Sequence, residues 1–149
     1  MINKILVATD GSDHSNKVVD LASDMALKYN AKVYLIHVVN EPPKVPESVV
    51  ELMRSEHIQE DPSYVYLQIA GRKIIEAAEK KCRAKGLKEI ESVLVEGDPA
   101  HTIIKCAKEN EVDAIVMGNH GVGSAESLFL GTVSSKVCHL AHCTCVTVK

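Results

Sequence analysis

Short apolar runs of strand length alternate with helix-period segments along this 149-residue chain, and nothing else about it limits the possible folds as tightly. Ile5-Leu6-Val7-Ala8 is the first run. It is closed by the turn Thr9-Asp10-Gly11-Ser12, with Ser12 placed to cap a helix. Val18, Ala22, Met25 and Tyr29 then recur at helical spacing as one apolar face, and Asn30 marks the helix end. Val33 to Val39 is apolar on both faces except at His37, which suits the middle of a parallel sheet. Ile90 to Glu96 is a more polar and less buried strand, Ala114 to Met117 a buried one, and Cys145 to Val148 a short last one. The Asp-Pro pairs at Asp61-Pro62 and Asp98-Pro99 predict helix starts, each an N-cap followed by proline in the first turn. The first of these helices runs to about Lys85, with Gly86 just past its end, and the second turns Ile103, Ile104 and Ala107 inward. A last helix opens at Thr132 with Val133, Val137, Leu140 and Ala141 inward. Strand–helix alternation of this kind predicts one α/β domain over residues 1–149: an open, doubly wound, five-stranded parallel sheet with helices on both faces.

Asn40 to Pro62 is the irregular stretch. It holds four of the five prolines and six acidic residues against Lys44 and Arg54, with room for a short helix near Val49–Met53. A connection this long in a compact domain is usually functional or mobile.

The bulk properties exclude several function classes. A net charge of −3 gives no basic footprint for nucleic acid or for an anionic membrane. With aromatics at 3% and no Trp, stacking on bases is not a main binding device. No apolar run approaches the roughly 18 residues of a membrane span, and the first residues show no signal-peptide pattern. An odd number of cysteines, five, without a secretory signal predicts reduced thiols and a cytoplasmic protein.

The chemistry concentrates after the fourth strand. Gly118-Asn119-His120-Gly121 follows the run Ala114–Met117, and Gly131-Thr132 comes nine residues later at a helix start. Glycines at a strand exit let backbone approach an anion, and the next helix offers free N–H groups and its dipole. A Walker P-loop would need Gly-Lys-Ser/Thr, and a dinucleotide fingerprint would need a third glycine after a first strand; neither is present. Spacing alone leaves a phosphate cradle and a plain glycine-rich loop about equally supported. In a doubly wound sheet, ligands bind beyond the strand carboxyl ends where the winding reverses. If the first and fourth strands are neighbours, the turns at Asp10-Gly11 and Gly118–Gly121 form one site.

Gly118-x-x-Gly121-x9-Gly131-Thr132 matches the nucleotide-binding pattern of the universal stress proteins, in the branch that binds ATP. Residues 5–12, Leu35-Ile36-His37-Val38-Val39, Glu96-Gly97-Asp98-Pro99 and the ending Ala141–Val148 are similar to the corresponding strands and turns of that family. Resemblance runs from about residue 2 to 148. His142 and Thr144 stand where the family often has proline. The resemblance implies the adenine-nucleotide alpha-hydrolase-like fold and a set of ATP contacts. Gly118, Gly121, Gly131, Thr132, Val133 and Ser134 would hold phosphates and ribose. Val38 would meet adenine through its backbone, with Ala8 and Met117 lining the pocket, and Asp10 would face the ribose or triphosphate. No Lys or Arg occurs from Gly118 to Ser135, so a triphosphate there calls for Mg²⁺ or Mn²⁺ reaching Asp10. Without nucleotide, Asp10 is a turn residue at the first helix.

Other residues receive plainer expectations. His37 on a buried strand is a hydrogen-bonded core histidine, while His120 is balanced between a phosphate donor and a solvated loop residue. Cys138, His139, His142, Cys143 and Cys145 fit no common zinc spacing and are assigned to core packing. Ser134 and Ser135 are expected to satisfy helix N–H groups, and the residues do not show whether either is phosphorylated. The family also implies a homodimer formed by the last strand, Cys145 to Val148, across a twofold. The functional expectation is an ATP-binding stress-response switch with an unknown protein partner and at most slow ATP hydrolysis. Two alternatives stand beside it: a nucleotide-free homodimeric adaptor, and a slow ATPase or nucleotidyl-transfer enzyme.

Overall fold

The structure is a computed structural model, describing residues 1–41, 44–119 and 131–149. Its strands are β1 (Lys4–Ala8), β2 (Lys32–Val39), β3 (Ile90–Glu96), β4 (Ala114–Gly118) and β5 (Thr144–Val148). They form one sheet in the order β3-β2-β1-β4-β5 with every neighbouring pair parallel. The chain winds outward from β1 to β3, then returns to the other side of β1 for β4 and β5. The winding therefore reverses between β1 and β4, whose pairing aligns Ile5 with Ala114 and Val7 with Val116.

The helices are α1 (Asp13–Tyr29), α2 (Glu47–Ser55), α3 (Pro62–Ala84), α4 (Pro99–Glu109) and α5 (Thr132–Leu140). Residue alternation along β1 shows how they are distributed. Ile5 and Val7 pack with Val18, Ala22 and Ala26 of α1 and Ile75 and Ala78 of α3. Leu6 points the other way, into a cluster with Ile103 and Ala107 of α4 and Val137 of α5. Because β1, β2 and β4 are covered on both faces, Ile5, Leu6, Val33, Leu35 and Ile115 are wholly buried. At the edge, β3 keeps Glu91, Ser92 and Glu96 exposed, as its polar composition requires.

Local chemistry accounts for most boundaries. Ser12 Oγ accepts from Ser15 N at 3.2 Å, and Asp61 Oδ1 from Ser63 N at 2.8 Å and Tyr64 N at 3.2 Å. Asp98 Oδ2 accepts from His101 N at 2.9 Å. Asn30 ends α1 in the left-handed region at φ 54°, and Gly86 follows α3 at φ 103°, where a side chain would be strained. The short helix expected near Val49–Met53 spans Glu47–Ser55 and seats Met53 in contact range of α3.

Six side chains lie outside the core assigned to them above. Tyr29 is 42% exposed, although Ala26 in the same last turn of α1 is wholly buried in the core. Val133 (37%) and Leu140 (63%) lie outside the core. Only Val137 of α5 is fully enclosed, since this nine-residue helix covers the margin of the sheet near edge strand β5. Cys138, His139 and His142, assigned above to core packing, are exposed on α5 and at the turn before β5.

Candidate functional site

The carboxyl ends of β1, β2 and β4 and the first turn of α5 enclose a cavity of about 500 Å³, within the range of small-molecule sites. Its position at the β1/β4 reversal is where a doubly wound sheet leaves a crevice. Ala8 and Asp10 line it from the end of β1 and Val38 from the end of β2. Met117 and Gly118 line it from β4, and Gly131, Thr132, Val133 and Ser134 from the start of α5. The sheet thus gathers residues up to 126 positions apart in the chain. Gly121 and His120 lie outside the described residues.

The α5 end of the cavity is built around Asn119, a residue the glycine spacing did not single out. It is 5% exposed, and its backbone carbonyl accepts from Gly131 N at 2.6 Å and from Ser134 Oγ at 3.3 Å. Asn119 N in turn donates to the Val148 carbonyl at 3.0 Å. Asn119 therefore ties the exit of β4 to the start of α5 and the end of β5. A Cβ on Gly131 would stand 2.7 Å from the Asn119 carbonyl oxygen, so this glycine is demanded by close approach of protein backbone. No local pattern marks it, because its backbone N–H and carbonyl bond residues 12 to 29 positions away.

Ser134 departs from the role its position suggested. Its hydroxyl donates to the Gly131 carbonyl at 3.1 Å as well as to Asn119, so it bonds carbonyls and not helix N–H groups. Among the described residues no side chain caps α5 at Gly131, in contrast to Ser12, Asp61 and Asp98 at α1, α3 and α4. The first turn of α5 thus borders the cavity with no side-chain cap from the described residues, and a helix N-terminus of this kind can bind an anion.

Asp10 supports a turn. Its Oδ1 accepts from Ser12 N at 2.9 Å and from Ser12 Oγ at 2.6 Å, which orients Ser12 as the α1 cap. His37 is 8% exposed, and its Nδ1–H donates to the Thr9 carbonyl at 2.8 Å, holding the β1 and β2 exits together as expected of a core histidine. His14, on the first turn of α1, also lines the cavity, and its Nε2–H donates to the Val148 carbonyl at 2.8 Å. Thus Val148, at the end of the edge strand, receives hydrogen bonds from two residues of the cavity wall.

The wall divides chemically. Ala8, Ile36, Val38, Ile103 and Met117 make an apolar side suited to a flat ring, while Asp10, Thr132 and the α5 terminus make a polar side. Among the described lining residues Asp10 is the one carboxylate, and there is no Lys or Arg. Lys136 stands exposed on α5 away from this lining. No cluster of three or more His, Cys, Asp or Glu able to hold a metal occurs among the described residues. No helix among them is long and apolar enough to cross a membrane.

The model of the universal stress protein family matches residues 1–149. Universal stress protein YxiE of Bacillus subtilis (strain 168) is 35% identical over 159 aligned positions, covering 100% of each chain. Among solved structures, hypothetical protein MJ0577 superposes with a TM-score of 0.77 at 26% identity, covering 100% of this chain and 96% of that one. A universal stress protein in complex with cAMP superposes with a TM-score of 0.69 at 24% identity, covering 99% and 96%. These neighbours share the five-stranded α/β architecture described above.

Proposed function

This chain belongs to the universal stress protein family, and from that premise we propose that it is an ATP-binding regulatory protein of the stress response, working as a nucleotide-dependent switch. The observation that carries this reading is the cavity at the β1/β4 reversal, with an apolar wall on one side and the α5 N-terminus on the other. Adenine fits between Ala8, Val38 and Met117, and the phosphates fit against Gly118, Gly131 and the N–H groups of Thr132, Val133 and Ser134. Gly121 completes the motif in sequence. That a structural neighbour was solved with cAMP supports an adenine nucleotide as the ligand class.

Backbone N–H groups alone leave a triphosphate strongly charged, and the described lining offers no Lys or Arg to offset it. One carboxylate plus phosphate oxygens is the donor set Mg²⁺ takes when it keeps several waters, so Mg²⁺ or Mn²⁺ bound with ATP fits beside Asp10. Hydrolysis needs an oriented water, a base and charge compensation. A lining with one carboxylate, already engaged by Ser12, supports slow turnover at most. The nucleotide state would be read through the surface formed by the Asn40–Pro62 segment, whose α2 rests on α3.

Mass spectrometry of small molecules released from freshly purified protein tests the reading. ATP in the wild type and none in Gly121→Val is the expected result, with Asp10→Asn binding ATP more weakly and losing its Mg²⁺ dependence. Neither protein carrying nucleotide, together with no rise in melting temperature on adding ATP and Mg²⁺, would replace the switch with the adaptor reading. Steady release of ADP over many turnovers, with ATP in excess over protein, would favour the enzyme instead.

A further inference from the structure

The backbone of Asn119 is fully committed, but its side-chain oxygen is not. Its N–H extends the β4–β5 ladder one residue past Gly118 by donating to the Val148 carbonyl at 3.0 Å. Its carbonyl accepts from Gly131 N at 2.6 Å and from Ser134 Oγ at 3.3 Å. Any residue other than proline could make these three contacts, so they do not account for an amide side chain at this position. The amide is nevertheless enclosed. Asn119 is 5% exposed and lines the cavity, and its buried Oδ1 has no hydrogen-bond partner among the described residues. A buried acceptor without a donor is a defect that native folds rarely keep, and one that a donor on a ligand would repair.

We propose that Asn119 reads the sugar of the bound nucleotide: its Oδ1 accepts a hydrogen bond from the 2′ or 3′ hydroxyl of a ribose, so the site favours ribonucleotides over their deoxy analogues. The inference rests on the adenine-nucleotide reading given above. An amide oxygen only accepts, so its partner must bring an O–H or N–H. ATP carries such groups in the 6-amino group of its ring and in its two ribose hydroxyls, while ionised phosphates offer acceptors alone. The ring, with its amino group, belongs on the apolar wall of Ala8, Val38 and Met117, and the phosphates belong against the first turn of α5. Ribose is the covalent link between ring and phosphates. Asn119 stands where those two parts of the wall join, two residues beyond Met117 in the chain and hydrogen-bonded to Gly131. Asp10 also lines the cavity, but its Oδ1 is occupied by the N–H and hydroxyl of Ser12. The terminal torsion of an asparagine is soft, so the amide turns readily toward a hydroxyl that enters the cavity.

Titration calorimetry of the full-length protein with ATP, 2′-deoxy-ATP and 3′-deoxy-ATP, each with Mg²⁺, tests the assignment. In the wild type, one deoxy analogue is expected to bind about three- to tenfold more weakly than ATP, the loss of one neutral hydrogen bond. In Asn119→Ala, ATP itself should weaken by about that factor, and removing the same hydroxyl should then cost nothing further. Asn119→Leu, close to asparagine in size and lacking the acceptor, gives the same comparison if alanine opens a hole. Both substitutions keep the backbone N–H and carbonyl that tie β4 to α5 and β5. Equal affinity of the wild type for all three nucleotides would overturn the proposal. So would discrimination that persists undiminished in the variants, which would hand the sugar to Asp10 or to backbone. If none of the three binds the wild type, the nucleotide reading fails and takes this inference with it. ATP bound with indifference to its hydroxyls leaves that reading intact and removes only the part given to Asn119.

Discussion

Gly131 has no room for a side chain. The atom a Cβ would meet is the Asn119 carbonyl oxygen at 2.7 Å, which is backbone and cannot swing aside. Gly131→Ala must therefore part β4 from α5, at an overpacking cost of about 1–3 kcal/mol. A lower urea midpoint with an unchanged slope checks it. A second residue, Asp113, holds the amino end of the sheet. Its Oδ2 accepts from Asn3 N at 2.7 Å and Lys4 N at 3.0 Å, and these backbone hydrogen bonds hold its carboxyl below the usual value. A depressed carboxyl stabilises the fold fully above its unfolded pKa, about 4, and the contribution is lost as pH falls through the lower folded value. Asp113→Asn should cost about 1 kcal/mol at neutral pH, a modest figure because water reaches the group. It should also flatten the decline in melting temperature below about pH 4, which thermal scans across that range would show.

At the scale of elements, the Asp-Pro starts do more than mark boundaries. Asp61 accepts from two orphan N–H groups of the 23-residue α3, and Pro62 presets the first turn. Asp61→Ala should destabilise the protein by about 1 kcal/mol, read as a lower melting temperature with α3 fraying first in hydrogen exchange. These starts were legible because the chemistry of a cap is local: Ser12, Asp61 and Asp98 each bond N–H groups two or three residues away. The strands were legible because burial on both faces leaves continuous apolar runs, as in Val33–Ile36. The arrangement of α5 was not. Val133 and Leu140 follow a helical period, yet whether an apolar stripe is covered depends on how far the sheet extends beneath it. The site divides in the same way. Its place at a strand exit could be read from the glycines, whereas Asn119 and His14 act through Val148, 29 and 134 residues distant, which no local pattern reveals.

For the whole molecule, β5 leaves one side of the sheet unpaired, and that edge is where the proposed homodimer would close. Sedimentation velocity should show a monomer–dimer equilibrium that shifts with concentration. Hydrogen exchange should show those β5 amides not bonded to β4 gaining protection only where the dimer forms. A monomer at every concentration would remove the edge-pairing model. The strand order also has a consequence for how the chain is made. Strand β1 sits at the centre, but its second neighbour arrives late: Ile5 pairs with Ala114, and Val7 with Val116. At about 5–20 residues per second, the ribosome leaves one side of this apolar strand open for roughly 5–20 s before its partner exists. The central strand of the finished protein is thus, during synthesis, a bare edge that chaperones must shelter or that other nascent chains can capture.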